Sequence, residues 1–210
     1  MNKTLVIIDG NSIINRAFYA LPEMSNKEGL KTNAIYGFTN MLLKIIDTYN
    51  PTHISVAFDR KAPTFRHIEF KEYKAGRKKM PDELREQFEP LKDLLDKFNI
   101  HRLEIDGYEA DDIIGTVSKI AEDNGYDVLT IALFGAVEVL HERYLNRMTN
   151  ENRHPVHLST TIDKFEDFKK CSDYMKRIEI PGEVMRINAT DFRYQNNEEI
   201  LAKIDAFMAI

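Results

Sequence analysis

Over the first 133 residues, short apolar runs alternate with stretches in which apolar positions recur every three or four residues. Residues 4 to 8, TLVII, read as a buried parallel strand that stops at Asp9-Gly10-Asn11-Ser12. A helix is predicted next, starting near Ser12 as its N-cap or a little later at Asn15. In residues 34 to 49, Ile35, Phe38, Met41, Leu42, Ile45 and Ile46 share one helical face, and the helix is expected to end before Asn50-Pro51. His53 to Phe58 is a second strand, and it too stops at an aspartate, Asp59. Residues 60 to 80 have no period and read as an exposed loop or arch.

A long helix is predicted from Pro81 through Phe98, with Leu84, Phe88, Leu91, Leu94 and Leu95 on one face. A short strand from His101 to Glu104 leads into GYEADDIIGTVSKIAEDNG, a helix with acids in its first turn and Gly125 at its end. A fourth strand covers Asp127 to Leu133. Beyond it the pattern predicts helices at 136 to 148, 161 to 176 and 197 to 209, and a strand at 183 to 187. Alternation of strand and helix implies an α/β three-layer sandwich, with a mostly parallel central sheet of PIN/Rossmann-like type. Its site would lie at the carboxyl ends of the strands.

Composition changes this picture little. The 210 residues suit one fused α/β domain, and no apolar run is long enough to span a membrane, so the chain reads as cytoplasmic. The single cysteine, Cys171, excludes an internal disulfide and a thiolate zinc site. Charge matters more. The net charge of −5 hides a basic stretch, KEYKAGRKK at 71 to 79, beside acidic clusters such as YEADD. A protein that grips phosphates with cations and holds metal ions with anions needs both signs.

Asp9, Asp59, Glu109, Asp111 and Asp112 all fall where a strand ends or a helix begins, on one predicted sheet edge. Carboxylates crowded together need a compensating cation, and hard oxygens suit Mg²⁺ or Mn²⁺. An Asp-Gly turn and acids in a first helical turn also have purely structural uses. The whole set on one edge favours a metal site.

The segments VIIDGNSIINRAFYALP, TNAIYGFTNMLLKII, PTHISVAFDRKAPTFRHIEFKEYKAGRKKMPDELREQ and IDGYEADDIIGT resemble, in order, the 5′-3′ exonuclease domain that opens bacterial DNA polymerase I. These domains belong to the flap-endonuclease and PIN-like group, and the resemblance runs from Met1 to about Leu129. It implies metal ligation and catalysis through Asp9, Asp59, Glu109, Asp111 and Asp112, with single-stranded 5′ ends or flaps of DNA as substrate. It also implies that Arg66, Tyr73, Lys74, Arg77, Lys78 and Lys79 belong to an arch guiding the 5′ strand, and that Arg16 faces the same DNA. Interleaved cations and aromatics suit such a surface.

The pattern breaks after the fourth strand. There the family carries Thr-Gly-Asp-x-Asp, whose aspartates supply a second metal site, while this chain has Phe134 and Ala136 at those positions. Residues from about 130 to 210 are instead similar to the C-terminal half of P-loop kinases of the AAA-like and zeta-toxin kind, with Arg143 and Arg147 placed for nucleotide phosphates or on a solvated helix face. No G-x-x-x-x-G-K-[ST] precedes them. His154 and His157 lack a third ligand. These features predict a hybrid: a nuclease-like portion to residue 129 and a kinase-like portion from 130, joined in one sheet. The expected activity is metal-dependent phosphodiester hydrolysis impaired by the missing cluster. The alternatives are a non-catalytic or designed scaffold and a nucleotide-binding protein.

Overall fold

The computed structural model describes residues 3–69, 79–148, 164–176, 182–191 and 197–208, which form an α/β fold. They group into two compact units, one reaching Val117 and the other beginning at Ser118.

In the first unit, β1 (Leu5–Asp9), β2 (His53–Ala57) and β3 (His101–Leu103) form a parallel sheet in that order, with β2 in the centre. The register pairs Leu5 with His53 and Ser55 with His101. Because successive strand residues face opposite sides, Val56 and Ala57 enter different cores. Val56 packs with Ile14 of α1 (Gly10–Ala20), Phe38 and Leu42 of α2 (Asn33–Tyr49), Leu84 of α4 (Asp82–Arg85), and Leu91 and Leu95 of α5 (Phe88–Lys97). Ala57 packs with Ala110 and Ile113 of α6 (Ala110–Asp123). Helices thus cover both faces of the sheet, and this unit is the three-layer arrangement that the pattern implied.

Two elements differ from their predicted form. The long helix expected from Pro81 to Phe98 is broken into α4 and α5 at Glu86-Gln87. Pro90 explains the break: it cannot donate to the Glu86 carbonyl, and its ring would collide with that group in a continuous helix. The break turns the fully buried Gln87 inward, where its Oε1 accepts the Ala34 and Ile35 N–H groups at 2.8 and 3.2 Å. Its Nε2 donates to Asn33 Oδ1 at 3.1 Å and to the Glu83 carbonyl at 3.0 Å. A side chain of α4–α5 therefore caps α2, whose own Thr32 makes no side-chain cap bond. The second difference is α3 (Phe65–Glu69), a single turn inside the stretch expected to be irregular. Thr64 and His67 brace its start, with Oγ1 and Nδ1 2.7 Å apart.

In the second unit, β4 (Leu129–Phe134) and β5 (Glu183–Asn188) pair in parallel, with α7 (Val137–Met148) and α8 (Phe165–Met175) between them in sequence and α9 (Asn197–Met208) after them. Among the described residues these strands pair only with each other, so two sheets stand where one continuous sheet was expected. An apolar run signals a strand, but it does not say which edge the strand meets. Nor is β4 covered on both faces, since Ile131, Leu133 and Phe134 are exposed. No helix among the described residues is long and apolar enough to cross a membrane.

Candidate functional site

Parallel pairing delivers the carboxyl ends of β1, β2 and β3 to one edge, where open α/β sheets present their sites. Asp9 is the last residue of β1, and its side chain accepts the Ser12 N–H at 2.9 Å. The cap of α1 is therefore Asp9 and not Ser12, and the helix starts directly at Gly10. Glycine is required there: a Cβ on Gly10 would lie 2.4 Å from Phe58 Cε1. Beside it, Asn11 Oδ1 accepts the Asp59 N–H at 3.0 Å, which ties α1 to the chain leaving β2.

Asp59 reaches onward to α6, where its Oδ1 accepts the Ala110 N–H at 2.7 Å. The first turn of α6 thus rests on an aspartate from the neighbouring strand end, as a helix N-terminus favours. Glu109, just before that helix, is only 7% exposed. Asp112 closes the turn by accepting the Glu109 N–H on Oδ2 at 3.0 Å. Asp111 stands exposed in the same turn.

The guanidinium of Arg66, on α3, meets these acids as a fork. Its two terminal nitrogens donate to Asp112 Oδ2 and Oδ1 at 2.7 and 2.6 Å, and Nη1 lies 4.0 Å from Glu109 Oε2. Such bidentate, charge-assisted pairs are strong and directional. The same guanidinium sits 4.5 Å over the Phe65 ring.

Of the five acids predicted as ligands, Asp59 and Asp112 each accept a backbone N–H at the start of α6, the Glu109 carboxylate lies 4.0 Å from Arg66, Asp9 serves its own helix and Asp111 is exposed. Among the described residues no group of three or more histidine, cysteine, aspartate or glutamate side chains is arranged to hold a metal ion. The donor chemistry suits Mg²⁺ or Mn²⁺, but as arranged the acids do not fit one, because backbone amides and Arg66 take their oxygens.

The predicted DNA-facing residues divide similarly. Arg16 is exposed on α1 and Lys79 is exposed ahead of α4. Arg66 turns toward Asp112. Tyr73, Lys74, Arg77 and Lys78 lie outside the described residues.

The end of β4 is closed by bonds to the segment after β5. Phe134 is its last residue, and the Ala136 N–H donates to Thr190 Oγ1 at 2.8 Å. Arg143, expected to face phosphates or solvent, does neither: Nη1 donates to the Ala189 carbonyl and Nη2 to the Thr190 carbonyl at 2.6 Å. The kinase-like reading loses one of its two proposed phosphate ligands there, and the Arg147 side chain lies outside the described residues. His154 and His157 lie outside the described residues, and Cys171 is exposed on α8.

Carboxylates at the ends of parallel strands, with helices on both faces of the sheet, place the first unit in the α/β class whose sites lie at the strand ends. The comparisons make the class particular: the chain belongs to the family described as 5′-3′ exonuclease, N-terminal resolvase-like domain, whose model matches residues 4–133. Over 126 residues it is 54% identical to DNA polymerase I of Bacillus subtilis, covering 60% of this chain and 14% of that protein. Over 132 residues it is 53% identical to DNA polymerase I of Geobacillus stearothermophilus, covering 63% of this chain and 15% of that protein. The chain therefore spans about one seventh of the length of these polymerases. A structure of T5 5′-exonuclease with bound zinc ions aligns at TM-score 0.43 and 22% identity, over 62% of this chain and 48% of that one.

Proposed function

We propose that this chain is a 5′-nuclease-type DNA-binding protein that hydrolyses phosphodiesters at 5′ ends or flaps with Mg²⁺ or Mn²⁺, and that its turnover is weak. The observation that carries the reading is the gathering of acids at the start of α6, where Asp59 and Asp112 accept backbone N–H groups and Glu109 lies buried beside them, inside the matched family segment. To hold a divalent ion there, these acids would have to release the backbone amides and the Arg66 guanidinium that now occupy their oxygens. The chain's own part is to concentrate negative charge on rigid backbone anchors and to offer cations such as Arg16 and Lys79 to the DNA backbone. Phe134 and Ala136 supply no carboxylate where the family has a second acid pair, which supports weak turnover and binding that outlasts cleavage.

The test is cleavage of a labelled 5′-flap DNA with Mg²⁺ or Mn²⁺, run beside Asp111→Asn, with binding followed by fluorescence anisotropy. The expected result is slow, metal-dependent cleavage by the unmodified chain and none by the variant, with both binding the flap. Cleavage no faster than the variant's would sink the enzymatic reading, and retained salt-sensitive binding would then leave a non-catalytic DNA-binding module.

A further inference from the structure

We propose that Asn124–Gly125, at the end of α6, is a self-modifying site: its asparagine converts to aspartate and isoaspartate when the helix end opens, and the product loosens the tie from α6 to β5. The pair is the one Asn-Gly in the sequence. Both residues are exposed, and Gly125, at φ 81°, has nothing within 4 Å of where a Cβ would stand, so that neither its own side chain nor a neighbour crowds that side. Asn50 and Asn99, which follow α2 and α5 and are also exposed, differ. Pro51 has no N–H proton to lose, and the β-branched Ile100 crowds the approach.

The chemistry needs only water. The Gly125 nitrogen attacks Cγ of the Asn124 amide, the N–Cγ bond forms, the Cγ–Nδ2 bond breaks, and Nδ2 leaves as ammonia with the Gly125 proton. Water then opens the cyclic imide. Cleavage of the new N–Cγ bond leaves aspartate, and cleavage of the original peptide bond leaves isoaspartate, whose chain runs through Cβ and Cγ. In the closed helix end both reacting groups are held back. Asn124 Nδ2 donates to the Ile120 carbonyl at 2.8 Å, and the Gly125 N–H donates to the Glu122 carbonyl at 3.0 Å. Fraying of that last turn, among the least costly openings of a fold, therefore gates the reaction.

Either product adds a carboxylate beside Glu122 and Asp123 at a helix C-terminus, where the dipole disfavours negative charge. An oxygen replaces the donor that met the Ile120 carbonyl. Isoaspartate also lengthens the backbone and so misplaces the Tyr126 N–H, which donates to the Ala121 carbonyl at 3.0 Å. The same turn carries Glu122, whose Oε1 accepts the Gly182 N–H at 2.9 Å just ahead of β5. Lys119 holds Glu122 and Asp123, each at 2.9 Å, and a third acid competes for it.

The test ages the full folded chain in heavy-oxygen water and follows residue 124 by peptide mass spectrometry. It runs beside the same chain held unfolded in urea and beside Asn124→Gln, whose longer side chain cyclises far more slowly. The folded chain should release ammonia, take up heavy oxygen at residue 124 and form both acids about 5- to 150-fold more slowly than in urea, the factor for opening two ordinary hydrogen bonds. Asn124→Gln should show none of this. Amide exchange at Tyr126 and Gly182 should quicken in the aged chain, less so in Asn124→Asp, which adds the charge without the longer backbone, and stay unchanged in β1 to β3. No conversion of the folded chain over a time long enough for the slowest of these rates overturns the site. Equal rates in buffer and urea overturn the gate, and conversion with exchange unmoved at Gly182 overturns the tie to β5. The unmodified chain decides each of these, whether or not the variants fold.

Discussion

The two parallel sheets follow the same strand-then-helix order but spend their strand ends differently. At the ends of β1 and β2, Asp9 and Asp59 accept backbone N–H groups, so each turn leaves a carboxylate anchored in place. At the end of β4, the Ala136 N–H goes to Thr190, and Arg143 spends its donors on the carbonyls after β5. One edge is built around anions and the other around neutral backbone groups. Their cores differ as well. Ile14, Val56, Phe58, Leu84, Leu91 and Leu95 are fully buried in the first unit, whereas Leu133 of β4 is 64% exposed. The comparison teaches that a strand-helix unit fixes a carboxylate at its end only when the turn residue is an acid that meets backbone amides and the layers beneath it are packed tightly enough to hold it still.

The largest expected effect breaks the comparison at its cores. Leu91→Ala removes a side chain with no exposed surface, and should lower the unfolding free energy by about 2–5 kcal/mol, the range for buried leucines. Leu133→Ala should change it by less than about 0.5 kcal/mol, as for exposed positions. Urea denaturation followed by circular dichroism measures both. Equal losses would show that β4 is as deeply buried in solution as α5, and the contrast would collapse.

Much of this was legible in advance, for physical reasons that particular residues make plain. Helix period and strand runs identified β1, β2, α2 and α6, because a half-buried element must alternate its apolar positions at its own repeat. The placement of acids at strand ends was legible because parallel strands all end on one edge. The bonds those acids make were not. Nothing local in the sequence tells that Asp59 reaches Ala110, or that Arg66 forks onto Asp112 46 positions away. The same holds for Gln87, a polar residue on an amphipathic helix that becomes a buried cap for α2 only because Pro90 breaks the helix beside it. Arg143 looked like a phosphate ligand or a solvated charge because its carbonyl partners lie 46 and 47 positions onward. The Thr64–His67 brace was the one local signal of α3, a threonine with a ring nitrogen three residues later.

A sharper view of the second edge comes from Arg143→Met, which keeps the aliphatic stem and deletes the two donors to Ala189 and Thr190. The expected cost is about 1–3 kcal/mol, the range for removing bonds to a charged donor. Amide exchange should quicken at Ala136 and at the end of β5, while β1 to β3 stay protected. Unchanged stability together with loss of measurable nucleotide binding would return Arg143 to a phosphate-facing role and make the second edge a site after all.

The smallest effect probes charge pairing in the first unit away from the acid edge. Arg102 donates to Asp96 through Nε and Nη2 at 2.7 and 2.9 Å, and these hydrogen bonds hold the Asp96 carboxyl below its ordinary value near 3.8. A depressed folded value means that the pair contributes stability above the unfolded value and loses it as pH falls through the folded one. Between pH 7 and 5, the gap in stability between the unmodified protein and Asp96→Asn should therefore stay constant, and it should close as pH drops below about 3.8. Because the aspartate is half exposed, the gap should be slight and should shrink further in molar salt, where screening acts over about 3 Å. A gap that survives both acid and salt would mean that Asp96 acts through packing, and that even the surface charges of this unit serve its core.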